Sequence, residues 1–112
     1  MKKIGKGMLT SGADCKGTLR QVQTIQDVLK LMKGDLSDVI LFMNTASAST
    51  ATPLFAKIKG VLCTAGGATS HLAIVAREFD LPCVMAGEII AQDSLDGRRV
   101  SFNHEGEIFL ED

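Results

Sequence analysis

Apolar and polar residues alternate through Gly17-Thr18-Leu19-Arg20-Gln21-Val22, the two-residue period of a strand with one face buried. The pattern then changes. Thr24 stands in an N-cap position with Asp27 three residues on, the spacing at which side chain and backbone cap each other at a helix start. Ile25, Val28, Leu29 and Met32 fall on one helical face, and Gly34 provides the stop. Val39-Ile40-Leu41-Phe42-Met43 is an unbroken apolar run, as expected of a strand covered on both faces. Small residues over 45–52 form a loop, and Pro53 suits the first position of a short helix through Ile58 that Gly60 closes. Val61-Leu62-Cys63 gives the next strand. A helix opening at Ser70 and His71 carries Leu72, Val75, Ala76 and Phe79 as its buried stripe. Leu81-Pro82-Cys83-Val84-Met85-Ala86-Gly87 predicts another short buried strand. Gly97-Arg98-Arg99-Val100-Ser101-Phe102 and Glu107-Ile108-Phe109-Leu110 pair across the turn Asn103-His104-Glu105-Gly106 as a hairpin. Strands and helices alternating in the middle, with β-rich ends, predict a layered α/β domain.

Composition narrows this further. At 112 residues and 46% hydrophobic content, residues 1–112 form one domain with one sizeable core. A net charge of −1 supplies no electrostatic footprint for nucleic acid or an anionic membrane. With five Phe and neither Trp nor Tyr, base stacking is not the business of this surface. No apolar run approaches the roughly 20 residues of a spanning helix. The basic start, Met1 to Gly7, has no following apolar region of the secretory kind. Cys15, Cys63 and Cys83 form no C-x-x-C pair, so neither a metal site nor a disulfide is expected, and reduced thiols fit a cytoplasmic protein. The Met1 start and a closing strand lead us to expect a whole product.

The chemistry concentrates in Thr64-Ala65-Gly66-Gly67-Ala68-Thr69-Ser70-His71, which joins the 61–63 strand to the helix beginning at Ser70 and His71. A helix start presents unpaired N–H groups and a partial positive charge, a ready site for an anion. Gly66 and Gly67 let the backbone approach a phosphate with no Cβ in the way. The hydroxyls of Thr69 and Ser70 add donors, and one of them caps the helix. His71 adds a nucleophilic nitrogen, so this stretch suits a histidine that carries a phosphoryl group. By the same helical count Arg77, six positions on, projects from another face and reads as a surface or ion-pair residue rather than a phosphate clamp. His104, in the hairpin turn, reads as solvated, and Cys63 as buried.

Gly66-Gly67-Ala68-Thr69-Ser70-His71-Leu72-Ala73-Ile74-Val75-Ala76-Arg77-Glu78, followed by Leu81-Pro82-Cys83-Val84-Met85-Ala86-Gly87, closely resembles the phosphohistidine signature of the phosphoenolpyruvate (PEP)-utilising enzymes. That family includes pyruvate phosphate dikinase, PEP synthase, enzyme I of the sugar phosphotransferase system and rifampicin phosphotransferase. Ser11-Gly12 with Gly17 is similar to the opening of its mobile domain, and Asp96-Gly97 with Glu105-Gly106-Glu107-Ile108 to its closing strands. Cys63 stands where family members usually have threonine, and Thr45-Ala46-Ser47 where they have a Thr-Pro-type loop. The resemblance implies a β/β/α swivelling domain with His71 as the phosphorylated residue. Gly66, Gly67, Thr69 and Ser70 would surround the phosphate, Thr69 matching a position that is regulatory in plant-type dikinases. It also implies that the domain binds no cofactor itself. Mg with ATP or PEP would sit on partner proteins, a nucleotide-binding (ATP-grasp-like) one and a PEP/pyruvate-binding barrel, for which this chain has no room. The expected function is a phosphoryl carrier without a complete reaction of its own. Two other readings stay open: a non-catalytic regulatory module that binds a phosphorylated metabolite, and a subunit of a split dikinase or synthase.

Overall fold

The structure, a computed structural model that describes residues 2–44, 52–90 and 95–111, opens on a strand that the sequence pattern did not single out. β1 (Lys2–Ser11) is ten residues long and pairs antiparallel with both β5 (Cys83–Ile89) and β7 (Glu107–Leu110). Its glycines, which obscure any alternation, are where backbones meet. A Cβ on Gly5 would run into the Glu88 carbonyl, and one on Gly7 would lie 2.5 Å from Val84. Three register irregularities along β1 mark bulges, which bend and twist the strand between its two partners.

β2 (Cys15–Gln21), β3 (Val39–Met43), β4 (Gly60–Cys63) and β5 pair in parallel in that order, and β6 (Arg99–Phe102) joins β2 to β7 by antiparallel ladders. The sheet therefore closes in the order β1-β5-β4-β3-β2-β6-β7. The mixed α/β class and the terminal hairpin are as the sequence implies, and the shape is a small closed barrel with two helices packed on it. That shape is consistent with a swivelling-domain fold. At the β1–β7 seam Lys3 Nζ lies 2.8 Å from Glu107 Oε2. The Lys3 hydrogen bond, then that of Asn103, holds the Glu107 carboxyl down at about 2.

Alternation along the parallel strands divides the apolar residues between two cores. Ile4, Leu19, Ile40, Leu62, Val84, Val100, Phe102 and Ile108 fill the barrel, with every strand contributing. Val39, Leu41, Met43, Val61, Cys63, Cys83 and Met85 point the other way and are covered by helical residues. The apolar run at 39–43 is thus buried on both faces, as its composition predicts.

The covering helices depart from expectation in their details. α1 (Ile25–Leu31) starts at Thr24 with the predicted capping box, but it buries Val28 and Leu31. Ile25, Leu29 and Met32 are about half exposed. The helix stops at Leu31 with Met32 as its cap, so the buried face is set by the two residues that reach the barrel rather than by the widest apolar stripe. The predicted helix after Pro53 is only a 3-10 turn, Thr52–Leu54, and it delivers Leu54, Phe55 and Ile58 to the outer core. The loop read over 45–52 lies outside the described residues except for Thr52. α2 (His71–Glu78) buries Leu72, Ala73 and Ala76. Phe79 is not in the stripe but packs edge-on against Phe55, with ring centroids 5.9 Å apart.

Candidate phosphoryl-accepting site

The candidate site is built at the carboxyl end of β4, where the chain turns into α2. The loop is pinned at its start by the Thr64 N–H donating to the Met43 carbonyl at 3.0 Å, and by the Thr64 hydroxyl donating to Asn44 Oδ1 at 3.0 Å. The Ala86 N–H donates to the Ala65 carbonyl at 3.3 Å, tying the loop to β5. Ala86 itself has φ +54, an unusual conformation for a residue with a Cβ.

Gly66 has φ +74, the left-handed region in which alanine is strained by about 1 kcal/mol or more. Gly67 differs: a Cβ placed there would meet nothing within 4 Å. The first glycine is required by the turn, and the second leaves open space beside the helix start. Of the two, Gly67 is the one whose missing side chain can serve a ligand without also serving the fold.

Ser70 occupies the N-cap position but makes no side-chain cap bond. Its hydroxyl donates backwards to the Gly67 carbonyl at 2.7 Å, and its N–H donates to the same oxygen at 3.0 Å. The expectation that Thr69 or Ser70 caps α2 is therefore corrected: neither does. The Ser70 proton is already committed, whereas the hydroxyl of Thr69, which is exposed, has no partner among the described residues.

Following the backbone groups through 65–73 shows an imbalance. The Ala65, Gly67, Ala68 and Ser70 carbonyls each accept a hydrogen bond, from Ala86, Ser70, Arg77 and Ile74 respectively. No acceptor among the described residues meets the N–H groups of Gly67, Ala68, Thr69, His71, Leu72 or Ala73. The segment is rich in free donors and poor in free acceptors, which is what an anion requires of a backbone. His71 is the first residue of α2 and is exposed. No described residue hydrogen-bonds its imidazole, so its ring nitrogens are open to an incoming group.

Arg77 is exposed, as its helical position suggests, but its guanidinium is held by two carbonyls. Its Nη2 donates to the Ala68 carbonyl at 2.7 Å and its Nε to the Thr10 carbonyl at 3.2 Å. A long side chain reaching back along the helix axis escapes a rule about helix faces. His104 is exposed in the β6–β7 turn, with its N–H donating to Asp14 Oδ1 at 3.0 Å. Cys63 is fully buried beneath the loop, and burial raises its thiol's pKa, which disfavours the thiolate needed for oxidation. An open cleft of about 710 Å³ lies beside Lys59, ahead of β4, and none of the predicted site residues lines it.

The family model for "PEP-utilising enzyme, mobile domain" matches residues 36–105, which contain the whole loop and α2. This chain belongs to that family. Its mobile-domain sequence is 32% identical over 94 residues to the rifampicin phosphotransferase of Bacillus subtilis, covering 84% of this chain and 10% of that protein. It is 30% identical over 101 residues to a probable phosphoenolpyruvate synthase of Methanothermobacter thermautotrophicus, covering 84% and 14%. The chain thus spans roughly a tenth of the length of these curated relatives. Among solved structures, the N-terminal domain of Enzyme 1 - Nitrogen superposes with a TM-score of 0.53 at 25% identity, over 69% of this chain and 32% of that one. A UPF0107 protein superposes with a TM-score of 0.61 at 15% identity over 96% and 98%, a likeness of fold alone. No helix among the described residues is long and apolar enough to cross a membrane. β1, β2, α1 and β7 lie outside the matched span.

Proposed function

We propose that this mobile domain is a phosphoryl carrier, transiently phosphorylated on His71 between a nucleotide- or PEP-binding partner and an acceptor. The observation that carries the reading is the exposed His71 imidazole at the start of α2, without a partner among the described residues, beside a segment whose backbone offers donors and few acceptors. In the forward step a lone pair on a ring nitrogen attacks the donor's phosphorus. The N–P bond forms as the donor's P–O bond breaks, and the oxygen leaves with the electron pair. The ring's remaining N–H proton passes to solvent or to the leaving oxygen. Delivery to the acceptor is the same exchange in reverse, with an acceptor oxygen as the nucleophile.

The phosphoryl oxygens would be met by the free N–H groups and by the Thr69 hydroxyl. Gly67 supplies the room, Gly66 the turn, and Ser70 the brace that keeps the Gly67 carbonyl turned to its own N–H and hydroxyl. Phosphoryl transfer needs little from a carrier beyond position and charge stabilisation, which a domain of this size can provide. The barrel with its two helices would swivel as one β/β/α body between cytoplasmic partners or domains that hold ATP or PEP with magnesium. The family membership and the names of its relatives, phosphotransferases and synthases, support this assignment.

The test uses the full chain and two phosphoryl sources. One is phosphoramidate, which phosphorylates accessible histidines chemically. The other is labelled ATP or PEP with a candidate nucleotide-binding or PEP-binding partner. Acid-labile, alkali-stable phosphate on His71, absent from His71→Ala, is the expected result. Phosphate on another residue, or none on a folded protein, overturns the proposal.

A further inference from the structure

We infer that Arg77 is the positioning residue of the phosphoryl-accepting loop, holding it against a bulge in β1. The inference rests on the reading of His71 as the acceptor and extends it to a residue on another face of the same helix.

The β1–β5 register breaks between Leu9 and Ser11, so the intervening Thr10 lies where the ladder is interrupted and its carbonyl is free for another donor. The Arg77 Nε takes that carbonyl at 3.2 Å, while the Thr10 hydroxyl donates to the Cys83 carbonyl at 3.3 Å. The other end of the guanidinium, Nη2, holds the Ala68 carbonyl at 2.7 Å. One rigid planar group therefore joins a fixed point on the barrel to the loop, one residue before Thr69.

The consequence is electrostatic as well as mechanical. An Ala68 carbonyl released from Arg77 could turn its partial negative charge toward the incoming phosphate. Held by Arg77, it points into the tether, and the adjoining N–H groups of Thr69, His71 and Leu72 keep their positions. A guanidinium suits this task because its donors are fixed in one plane and can serve two carbonyls at once. Lysine has the charge and three donors, but all on one nitrogen, so it cannot place donors at the two separate positions that Nε and Nη2 occupy. Arg77 acts through the loop and touches no phosphoryl oxygen in this scheme.

The experiment compares wild type, Arg77→Gln and Arg77→Lys at equal protein concentration, using phosphoramidate as the donor. Three quantities are followed: the rate of His71 phosphorylation, the shifts of the 69–73 amides on phosphorylation, and the exchange of the Arg77 Nε–H with water. We expect Arg77→Gln to slow phosphorylation about tenfold, the scale of a reacting group held slightly out of place. Arg77→Lys should fall between, and the phosphorylation-induced shifts of the 69–73 amides should shrink in both. A residue important only for stability would lower the melting temperature and leave folded protein reacting at the wild-type rate with wild-type shifts, and that result overturns the inference. Should neither variant fold, the wild type still decides. A slowly exchanging Arg77 Nε–H that stays slow after phosphorylation supports the tether, whereas one that exchanges freely, or shifts onto the phosphoryl group, refutes it. Wild-type protein left without phosphate on His71 instead sinks the carrier reading, while the exchange measurement continues to report on the tether.

Discussion

At the start of α1 the chain closes upon itself, and at the start of α2 it stays open. Asp27 Oδ2 accepts the N–H groups of Gln23 and Thr24 at 2.8 and 3.0 Å, and the Thr24 hydroxyl accepts the Asp27 N–H at 3.3 Å. Of the donors at this helix start, those of Thr24 and Asp27 are taken up by side chains, while those of Ile25 and Gln26 meet no acceptor among the described residues. α2 begins with a residue of the same chemical type, Ser70, yet its hydroxyl faces back to the Gly67 carbonyl, and no acidic residue lies in its first turn. The N–H groups of His71, Leu72 and Ala73 meet no acceptor among the described residues. Two uses of one device show the difference between a helix start that serves stability and one that can serve an anion.

The contrast is tested most severely by closing the open end. Ser70→Asp places a carboxylate where it can accept the N–H groups of Leu72 or Ala73, imitating what Thr24 and Asp27 do at α1. We expect thermal stability to rise by about 0.5–1 kcal/mol. Phosphorylation of His71 by phosphoramidate should fall by roughly 100-fold, the scale on which loss of transition-state charge stabilisation is felt. A stabilised variant that still accepts phosphate at the wild-type rate would show that those N–H groups are not the anion site.

The converse change should leave the chemistry alone. Thr24→Ala opens the closed end and is expected to cost about 1 kcal/mol, read from urea unfolding midpoints. Phosphorylation of the folded variant should match wild type. A loss of phosphoryl acceptance larger than the loss of folded protein would mean that the two helix starts are coupled, contrary to the comparison.

The closed end was legible in the sequence because Thr24 and Asp27 are three residues apart and act on each other. The open end was legible only in outline. The Gly-Gly turn, the helix start and the position of His71 follow from residue order, but the direction of the Ser70 hydroxyl depends on where the loop places the Gly67 carbonyl. Arg77 is at the surface as its position suggests, but its partners, a loop carbonyl nine residues earlier and a bulge on β1, are ones that no helical period records. β1 escaped notice because its glycines answer to the Glu88 and Val84 backbones and side chains across the ladder rather than to an alternating pattern. On α1 the sequence pattern puts Ile25, Val28, Leu29 and Met32 on one face. Only the barrel's position selects Val28 and Leu31 over Ile25, Leu29 and Met32. Period and capping report regular contacts within a few residues; β1 and the buried face of α1 depend instead on partners brought close by barrel closure, and the Ser70 bond on the shape of the loop itself.

The smallest expected effect lies in the acid range and separates the two ends by charge. The Gln23 N–H, followed by that of Thr24, holds the Asp27 carboxyl below its ordinary value near 3.8. A carboxyl depressed in the folded state binds its proton more weakly there than in the unfolded chain. Its contribution to stability is therefore complete above the unfolded value and disappears as the pH falls through the folded one. Asp27→Asn keeps an oxygen acceptor but carries no charge at any pH. The stability gap between wild type and this variant should be widest near about pH 6 and should close toward about pH 2, as thermal unfolding across that range would show. A gap that stays constant with pH would mean that the carboxylate's charge does not hold the box together. Ser70→Asp should import the same acid-sensitive gap to α2, where wild type has no carboxylate to protonate, so one titration reads both helix starts.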